Sequence, residues 1–335
     1  MNTETHSTAP RARRLSIRDI AGFVVSVVAV GAVVWWASRQ EAPTLPTSPG
    51  DLALVGAGLL VYVVATFARG WRWHLVLRST GIEHPPVDAY ALVAVGYMGN
   101  TVLPARGGEA LRILLLAERS TARRREVLGS IIAERLFDVI ALVLLFAALT
   151  ILGIAGTPAG TSPAVIAIIV LVGAVGGLFA YDRLRRAGKF ERFAATLRPI
   201  ARSSRIFATW EGPGLLGVTI FVWFAEGLIF VLVAHALGLE LSFPEGVFLV
   251  VFSSFFALIP AAPGYAGTYD AALLFGLHAL DIRAGSAVSF AILARFVLFG
   301  PITVAGLVLL LTRYGGVQRA WCALRERGDE AAEPA

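Results

Sequence analysis

Long apolar stretches alternate with short polar ones along nearly the whole chain. Six are long enough to cross a bilayer as helices, at about 20–38, 52–68, 127–152, 164–181, 214–238 and 285–311. Two further apolar stretches are interrupted. Asp88–Ala117 breaks at Leu103-Pro104-Ala105-Arg106-Gly107-Gly108, and Glu245–Leu280 breaks at Pro260-Ala261-Ala262-Pro263-Gly264-Tyr265-Ala266-Gly267. Proline removes a backbone donor and clashes with the preceding turn, while glycine loosens the backbone, so each break should end a helix inside the apolar zone. The predicted fold is all-α: a polytopic membrane protein of six long spans plus two broken, re-entrant helical hairpins.

The basic residues orient this arrangement. With the N-terminal tail inside, Arg69, Arg72 and Arg78 follow span two on the cytoplasmic side. A re-entrant Asp88–Ala117 returns the chain to the same side, at Arg119 and Arg123–Arg125. The loop after span three, Gly153–Pro163, carries no charge, whereas the loop after span four holds eight basic residues between Arg183 and Arg205. Only Arg39 and Arg283 fall outside, in agreement with the positive-inside rule. This gives an N-in/C-in topology with a basic tail at 1–19, a membrane domain at 20–312 and a C-terminal tail at 313–335. Full crossings by the two broken stretches would leave the same sidedness. Length favours re-entry for the first, because Glu109–Ala117 covers only about 13 Å as helix against a hydrocarbon core of about 30 Å.

The breaks resemble each other: Leu103-Pro104-Ala105 then Gly and an acid, and Ile259-Pro260-Ala261 then Gly and an acid. Entering from opposite leaflets, they fit an inverted repeat, and paired Gly/Pro-interrupted segments point to a midplane transport site.

Composition agrees with a lipid environment. Of 335 residues, 57% are hydrophobic and 16% charged, against about 25% charged in soluble domains. The single cysteine, Cys322, excludes an intrachain disulfide, and the five histidines have no ligand spacing, so neither a metal site nor a cofactor is expected. The net charge of +6 sits mainly beside apolar segments, which indicates topology and anionic lipid rather than nucleic acid. The apolar run Ile20–Ser38 is long for a signal peptide and reads as a retained span. No nucleophile elbow, P-loop, dinucleotide fingerprint or zinc-protease motif is present. Most tryptophans, Trp71 and Trp73 among them, are expected at span ends as interface anchors.

Chemistry enters with the ionisable residues placed where lipid should be: Arg106, Glu109, Arg112, Glu134, Arg135, Asp138, Glu226, Asp270 and Arg295. Each costs about 2.5–3.5 kcal/mol at a helix centre, so these nine unpaired would cost on the order of 20–30 kcal/mol. They must pair or face a wet cavity. Glu109 and Arg112 stand three apart, Glu134 and Asp138 share a helix face, and Arg135 reaches Asp138 at three. An ion network that only fixes helix register is one reading. The other is an anion site, with a helix starting at Gly107-Gly108 directing free N–H groups at a phosphate and Arg106, Arg112 and Arg135 adding forked donors. Asn100 lies beside the same break. Pro263, Gly264, Gly267 and Thr268 can form a second amide-lined concavity, followed by Asp270. Glu109, Glu134 and Asp138 can order the arginines, bind an ammonium group or exchange protons.

Three motifs in order, Asn100-x3-Pro104-x-Arg106-x-Gly108-Glu109-x2-Arg112, Glu134-Arg135-x2-Asp138 and Pro260-x2-Pro263-Gly264-Tyr265-x-Gly267-Thr268-Tyr269-Asp270, resemble the flippase-like, lysylphosphatidylglycerol synthase transmembrane-region family over roughly residues 20–315. Many members carry Glu at the place of Asp270 and Gly at that of Tyr265. The resemblance implies a multi-pass protein of the bacterial inner (plasma) membrane that moves an anionic phospholipid or a polyprenyl-phosphate-linked glycan. The bifunctional synthases append an aminoacyl-transferase domain, for which the tail after span six leaves too few residues. A transporter is thus expected over an enzyme. The alternatives are an integral-membrane enzyme using Glu134 or Asp138 as base, and an accessory partner of an envelope glycosyltransferase.

Overall fold

The computed structural model describes residues 43–103, 106–153, 209, 211–257 and 263–316. The expected spans at 20–38 and 164–181 lie outside these residues, as do Pro104 and Pro260. All regular structure among the described residues is helical: α1 (Pro49–Ser79), α2 (Pro86–Val102), α3 (Gly107–Arg119), α4 (Arg124–Ile151), α5 (Glu211–Ala236), α6 (Phe243–Ala257), a single 3₁₀ turn at Pro263–Tyr265, α7 (Thr268–Ala279) and α8 (Ala284–Arg313).

Local signals set these limits. Ser48 caps α1 by accepting the Asp51 N–H at 3.1 Å, with Pro49 at the first helical position. α1 stops where Gly81 takes φ +76° and the Ile82 N–H reaches back to the Leu77 carbonyl at 3.0 Å. α5 stops the same way, with Gly238 at φ +68° and the Leu239 N–H on Ala234 at 2.9 Å. Both foreseen breaks are present: α2 ends before Leu103 and α3 starts at Gly107, while α6 ends at Ala257 and α7 starts at Thr268.

By length and composition, α1, α5 and α8 can cross a membrane, with 31, 26 and 30 residues. α4 has 28 residues but carries Glu134, Arg135 and Asp138 midway. The interrupted arms α2, α3, α6 and α7 have 17, 13, 15 and 12 residues, about 18–26 Å at 1.5 Å per residue, short of a full crossing.

The element order repeats. Long helix, arm, arm and long helix run first as α1–α4 and again as α5–α8. The links match too: six residues before the first arm (80–85 and 237–242) and four after the second (120–123 and 280–283). α1 packs along α5, and α2 lies against α8 as α6 lies against α4. Each remaining substantial helix pair also has a counterpart when the two quartets are exchanged: α1–α2 with α5–α6, α2–α3 with α6–α7, α3–α4 with α7–α8, α1–α4 with α5–α8, and α4–α5 with α8–α1.

Close backbone approach joins α2 to α3. A Cβ on Gly108 would lie 1.8 Å from the Gly96 carbonyl oxygen, and one on Gly99 would lie 2.6 Å from the Gly108 Cα. Real Cβ contacts do not come that close, so this hairpin requires glycine at its seam. Its two ends lie together. Arg119 of α3, Arg313 at the end of α8 and Tyr314 just after it all donate to Asp88 Oδ1 at the start of α2, at 3.3, 2.8 and 2.9 Å.

Candidate functional site

Because α1 continues to Ser79, Arg69 and Arg72 lie two to three turns inside it rather than beyond it. The expectation that they follow the span on the cytoplasmic side is corrected: both are buried within the helix, Arg72 at 1% exposure, facing α4 and α5. A guanidinium there must be neutralised, since an isolated buried charge costs several kcal/mol. Arg72 Nη1 donates to Asp138 Oδ1 at 2.6 Å and to Thr219 Oγ1 at 2.9 Å, and its Nη2 donates to Glu134 Oε1 at 3.0 Å.

The second oxygen of Glu134 takes Arg112. Arg112 Nη2 donates to Glu134 Oε2 at 2.7 Å, and its guanidinium carbon stands 4.0 Å from the centre of the Trp73 ring. Trp73 is fully buried and donates through Nε1 to Ser130 Oγ at 3.1 Å, so it is a shelf for Arg112 and not an interface anchor. The second oxygen of Asp138 takes Arg135 Nη1 at 2.9 Å, and Arg135 Nε stands 3.2 Å from Glu109 Oε1. The result is one alternating chain, Arg112–Glu134–Arg72–Asp138–Arg135–Glu109, with three positive and three negative groups. Glu134, Arg72 and Arg112 form its dry end; Arg135 and Glu109, at 29% and 25% side-chain exposure, form the end that opens outward.

Arg106 lies just beyond that open end. It takes the left-handed conformation, φ +57° and ψ +39°, which turns the chain from the first break into α3. Its Nη2 donates to the Ala257 carbonyl at 3.4 Å, at the end of α6, and its guanidinium carbon lies 5.7 Å from the Tyr265 ring centre. A Cβ on Gly264 would meet the Thr101 carbonyl at 3.5 Å. The two breaks, 156 residues apart in sequence between their prolines (104 and 260), therefore touch. No described carboxylate pairs with Arg106.

Across this contact sits a second cluster. Asp270 and Arg295 form a two-pronged pair, with Arg295 Nη2 on Asp270 Oδ2 at 2.8 Å and Nε on Oδ1. Arg295 also donates to the Gly264 carbonyl at 3.3 Å, and the Gly267 N–H donates to Asp270 at 3.0 Å. Gly264 and Gly267 have φ of +65° and +89°, so the turn uses their freedom directly. Thr268 Oγ1 is enclosed without a hydrogen-bond partner. A third pair, Arg69 with Glu226, joins α1 to α5, and Arg69 lies 5.3 Å from the Tyr97 ring centre.

Apolar helices, neutralised interior charges and touching breaks describe a membrane domain with a polar centre. Residues 20–306 match the family described as lysylphosphatidylglycerol synthase transmembrane region. The chain belongs to this family. It is therefore an integral, multi-pass membrane protein. Among curated relatives it is similar to the glycosyltransferase AglD of Haloferax volcanii, at 24% identity over 90% of this chain, although the match spans only 55% of that relative's length. It is also similar to UPF0104 membrane proteins of Pyrococcus horikoshii, at 22% identity over 86% of this chain and 95% of the relative, and of Methanocaldococcus jannaschii, at 26% over 63% and 92%.

In this family member, the foreseen residues of both breaks and of α4 converge in one region. The pairing differs from the sequence expectation in one respect: Glu109 and Arg112, three apart on α3, do not pair with each other but each with a residue of α4. The Gly108 N–H, foreseen as a phosphate donor, is taken by Asn100 Oδ1 at 3.1 Å. Arg69, Arg72 and Thr219 escaped the sequence reading. A positive-inside count explained both arginines, and only the length of α1 betrays that they are interior. Among the described residues no group of His, Cys, Asp and Glu could hold a metal ion.

Proposed function

We propose that the protein is a flippase of the plasma membrane that passes an anionic phospholipid, or a polyprenyl-phosphate-linked glycan, between leaflets. One observation carries this reading. Of the described interior arginines, Arg69, Arg72, Arg112, Arg135 and Arg295 each face a carboxylate, and Arg106 alone has only a carbonyl and an aromatic face. A lone guanidinium within an apolar body is costly until an anion meets it, and its planar fork suits a phosphate. Arg106 and Arg135 receive that phosphate, with Glu109 competing for Arg135. Arg72, Arg112, Glu134 and Asp138 lock α1, α3 and α4 around them. Asn100 and Gly108 fix the first turn, and Pro263, Gly264, Gly267, Thr268 and Asp270 form the facing wall.

The membrane arrangement goes with this function: six spans at residues 20–312, both tails cytoplasmic, and hairpins α2–α3 and α6–α7 entering from opposite leaflets as an inverted repeat. The repeated element order, the equal links, the matching caps at Gly81 and Gly238 and the exchange of helix contacts support it. The common anchoring of Arg119 and Arg313 on Asp88 supports a hairpin that leaves on the side where α8 ends.

The test is leaflet exchange of fluorescent phosphatidylglycerol in proteoliposomes. Arg106→Gln should fold normally and slow exchange by about tenfold or more, the worth of one or two charge-assisted hydrogen bonds. Exchange at the wild-type rate in this variant would remove the reading.

The likeness to a glycosyltransferase favours a second reading, in which the chain handles lipid-linked sugars within glycan assembly. It predicts that deletion changes the lipid-linked glycans seen by mass spectrometry and leaves the exchange of phospholipid untouched. A catalytic base at Glu134 has little support, since that residue is fully buried with both oxygens held by arginine.

A further inference from the structure

The internal repeat of the proposed function, on which this inference rests, can be read residue by residue. Arg135 is the twelfth residue of α4 and Arg295 the twelfth of α8. Glu109 is the third residue of α3 and Asp270 the third of α7. Each acid faces the arginine of its own half. Arg69 and Glu226 stand ten residues before the ends of α1 and α5, so these equivalent positions pair with each other, as residues on a twofold axis do.

The equivalent pairs are not in the same state. Arg295 holds Asp270 with two prongs and also donates to the Gly264 carbonyl. Glu109 Oε1 and Arg135 Nε are 3.2 Å apart, yet neither makes a hydrogen bond. Arg295 is thus hydrogen-bonded to the acid of its own pair, whereas Arg135 is hydrogen-bonded to Asp138 and stands only within ion-pair distance of Glu109. Both arginines keep more than a quarter of their side-chain surface open, 29% at Arg135 and 28% at Arg295, unlike Arg72 and Arg112.

We propose that Arg295 is a second phosphate-receiving residue, the symmetry counterpart of Arg135, and that the two arginines serve opposite leaflets in alternation, each released from its own carboxylate while the other is latched. The ligand is the phosphate of a lipid head group. The anion replaces Glu109 at Arg135 on one side and Asp270 at Arg295 on the other, and the touching breaks lie between the two positions.

The experiment uses the full chain with Cys322→Ser, carrying Glu109→Cys or Asp270→Cys, in oriented vesicles. A membrane-impermeant thiosulfonate should modify the two thiols from opposite faces. Phosphatidylglycerol vesicles should slow each modification by about tenfold relative to phosphatidylcholine, as a charge-assisted contact to arginine predicts. Arg135→Gln should remove that shielding at position 109 alone, and Arg295→Gln at position 270 alone. Modification of both thiols from one face, or no effect of the anionic lipid at either, overturns the proposal. Equal shielding by inorganic phosphate in phosphatidylcholine overturns the assignment to a lipid. Where a thiol variant gives no monodisperse protein, Arg135→Cys and Arg295→Cys make the same comparison of faces. Leaflet exchange in the same vesicles separates the two claims. Opposite-faced, shielded thiols without exchange remove translocation and keep the paired sites, whereas exchange with same-faced thiols does the reverse.

Discussion

Glu134→Gln tests whether neutrality holds the buried chain together. The carboxylate is fully buried and takes Arg72 at 3.0 Å and Arg112 at 2.7 Å. Glutamine keeps the shape but leaves three arginines facing two carboxylates, with one guanidinium uncompensated in a dry site. Breaking a buried pair by removing one partner costs about 3–5 kcal/mol. At roughly 2–4 °C per kcal/mol for a domain of this order, the melting temperature in detergent should fall by about 6–20 °C. Removing the opposite charge as well should restore much of it. In Arg112→Leu/Glu134→Leu, Arg72 keeps Asp138 and Thr219, the remaining chain is neutral, and leucine can pack beside Trp73. Replacement of a buried pair by apolar groups is often near neutral. The double variant should therefore melt above Glu134→Gln. A single variant melting within about 2 °C of wild type would put the network below about 1 kcal/mol, and a double variant no better than the single would show that charge imbalance is not what destabilises it; either refutes the reasoning.

Three further outcomes follow from the geometry. Gly108→Ala should abolish stable insertion or lower the melting temperature by more than about 10 °C, because its methyl would enter the Gly96 carbonyl; thermal unfolding of purified protein reads this. Glu226→Gln should destabilise by about 3–5 kcal/mol by stranding Arg69, and Arg69→Leu/Glu226→Leu should recover most of it, as measured by the same unfolding cycle. Trp73→Phe should keep the apolar shelf but release the Ser130 hydroxyl, costing about 1 kcal/mol of stability without altering lipid selectivity in binding assays.

Much of the fold was legible because its signals are local. Pro and Gly at 103–108 and 260–267 interrupt apolar runs, and the structure ends α2 and α6 and begins α3 and α7 there. The charges of the site were legible for a similar reason, since each stands out against its apolar surroundings. Partners were not. Glu109 has Arg112 within one turn, but it meets Arg135 of α4, and Asp270 meets Arg295, 25 residues away. Which arginine a carboxylate finds depends on helix packing that intrahelical spacing does not encode. Arg69 and Arg72 misled for another reason. Their apolar window ends at about residue 68, yet the helix continues to Ser79, so a charge that closes a hydropathy window need not close a helix. Trp73 was misplaced with them.

The proposed symmetry also explains why the two halves should not move alike. The positions equivalent to Arg72, counted back from the end of α1, and to Arg112, Glu134 and Asp138, counted from the starts of α3 and α4, are Ile229, Leu273, Ala294 and Leu298. All four are buried in one apolar core. In the first half, shifting α3 against α4 means re-pairing a chain of six charges, in which each carboxylate between Arg112 and Arg135 already serves two arginines. In the second half, apart from the pair at Asp270, sliding α7 on α8 exchanges one set of dispersion contacts for another, which is individually cheap. The polar ties that oppose it are those of Arg295, to Asp270 and to the Gly264 carbonyl. On the proposed function, the first half is therefore the more firmly tied of the two, with Arg135 held within its charge chain. Tyr265 stands beside Arg106 at φ +56°, in a conformation that residues other than glycine seldom adopt, so backbone strain sits where the two breaks touch.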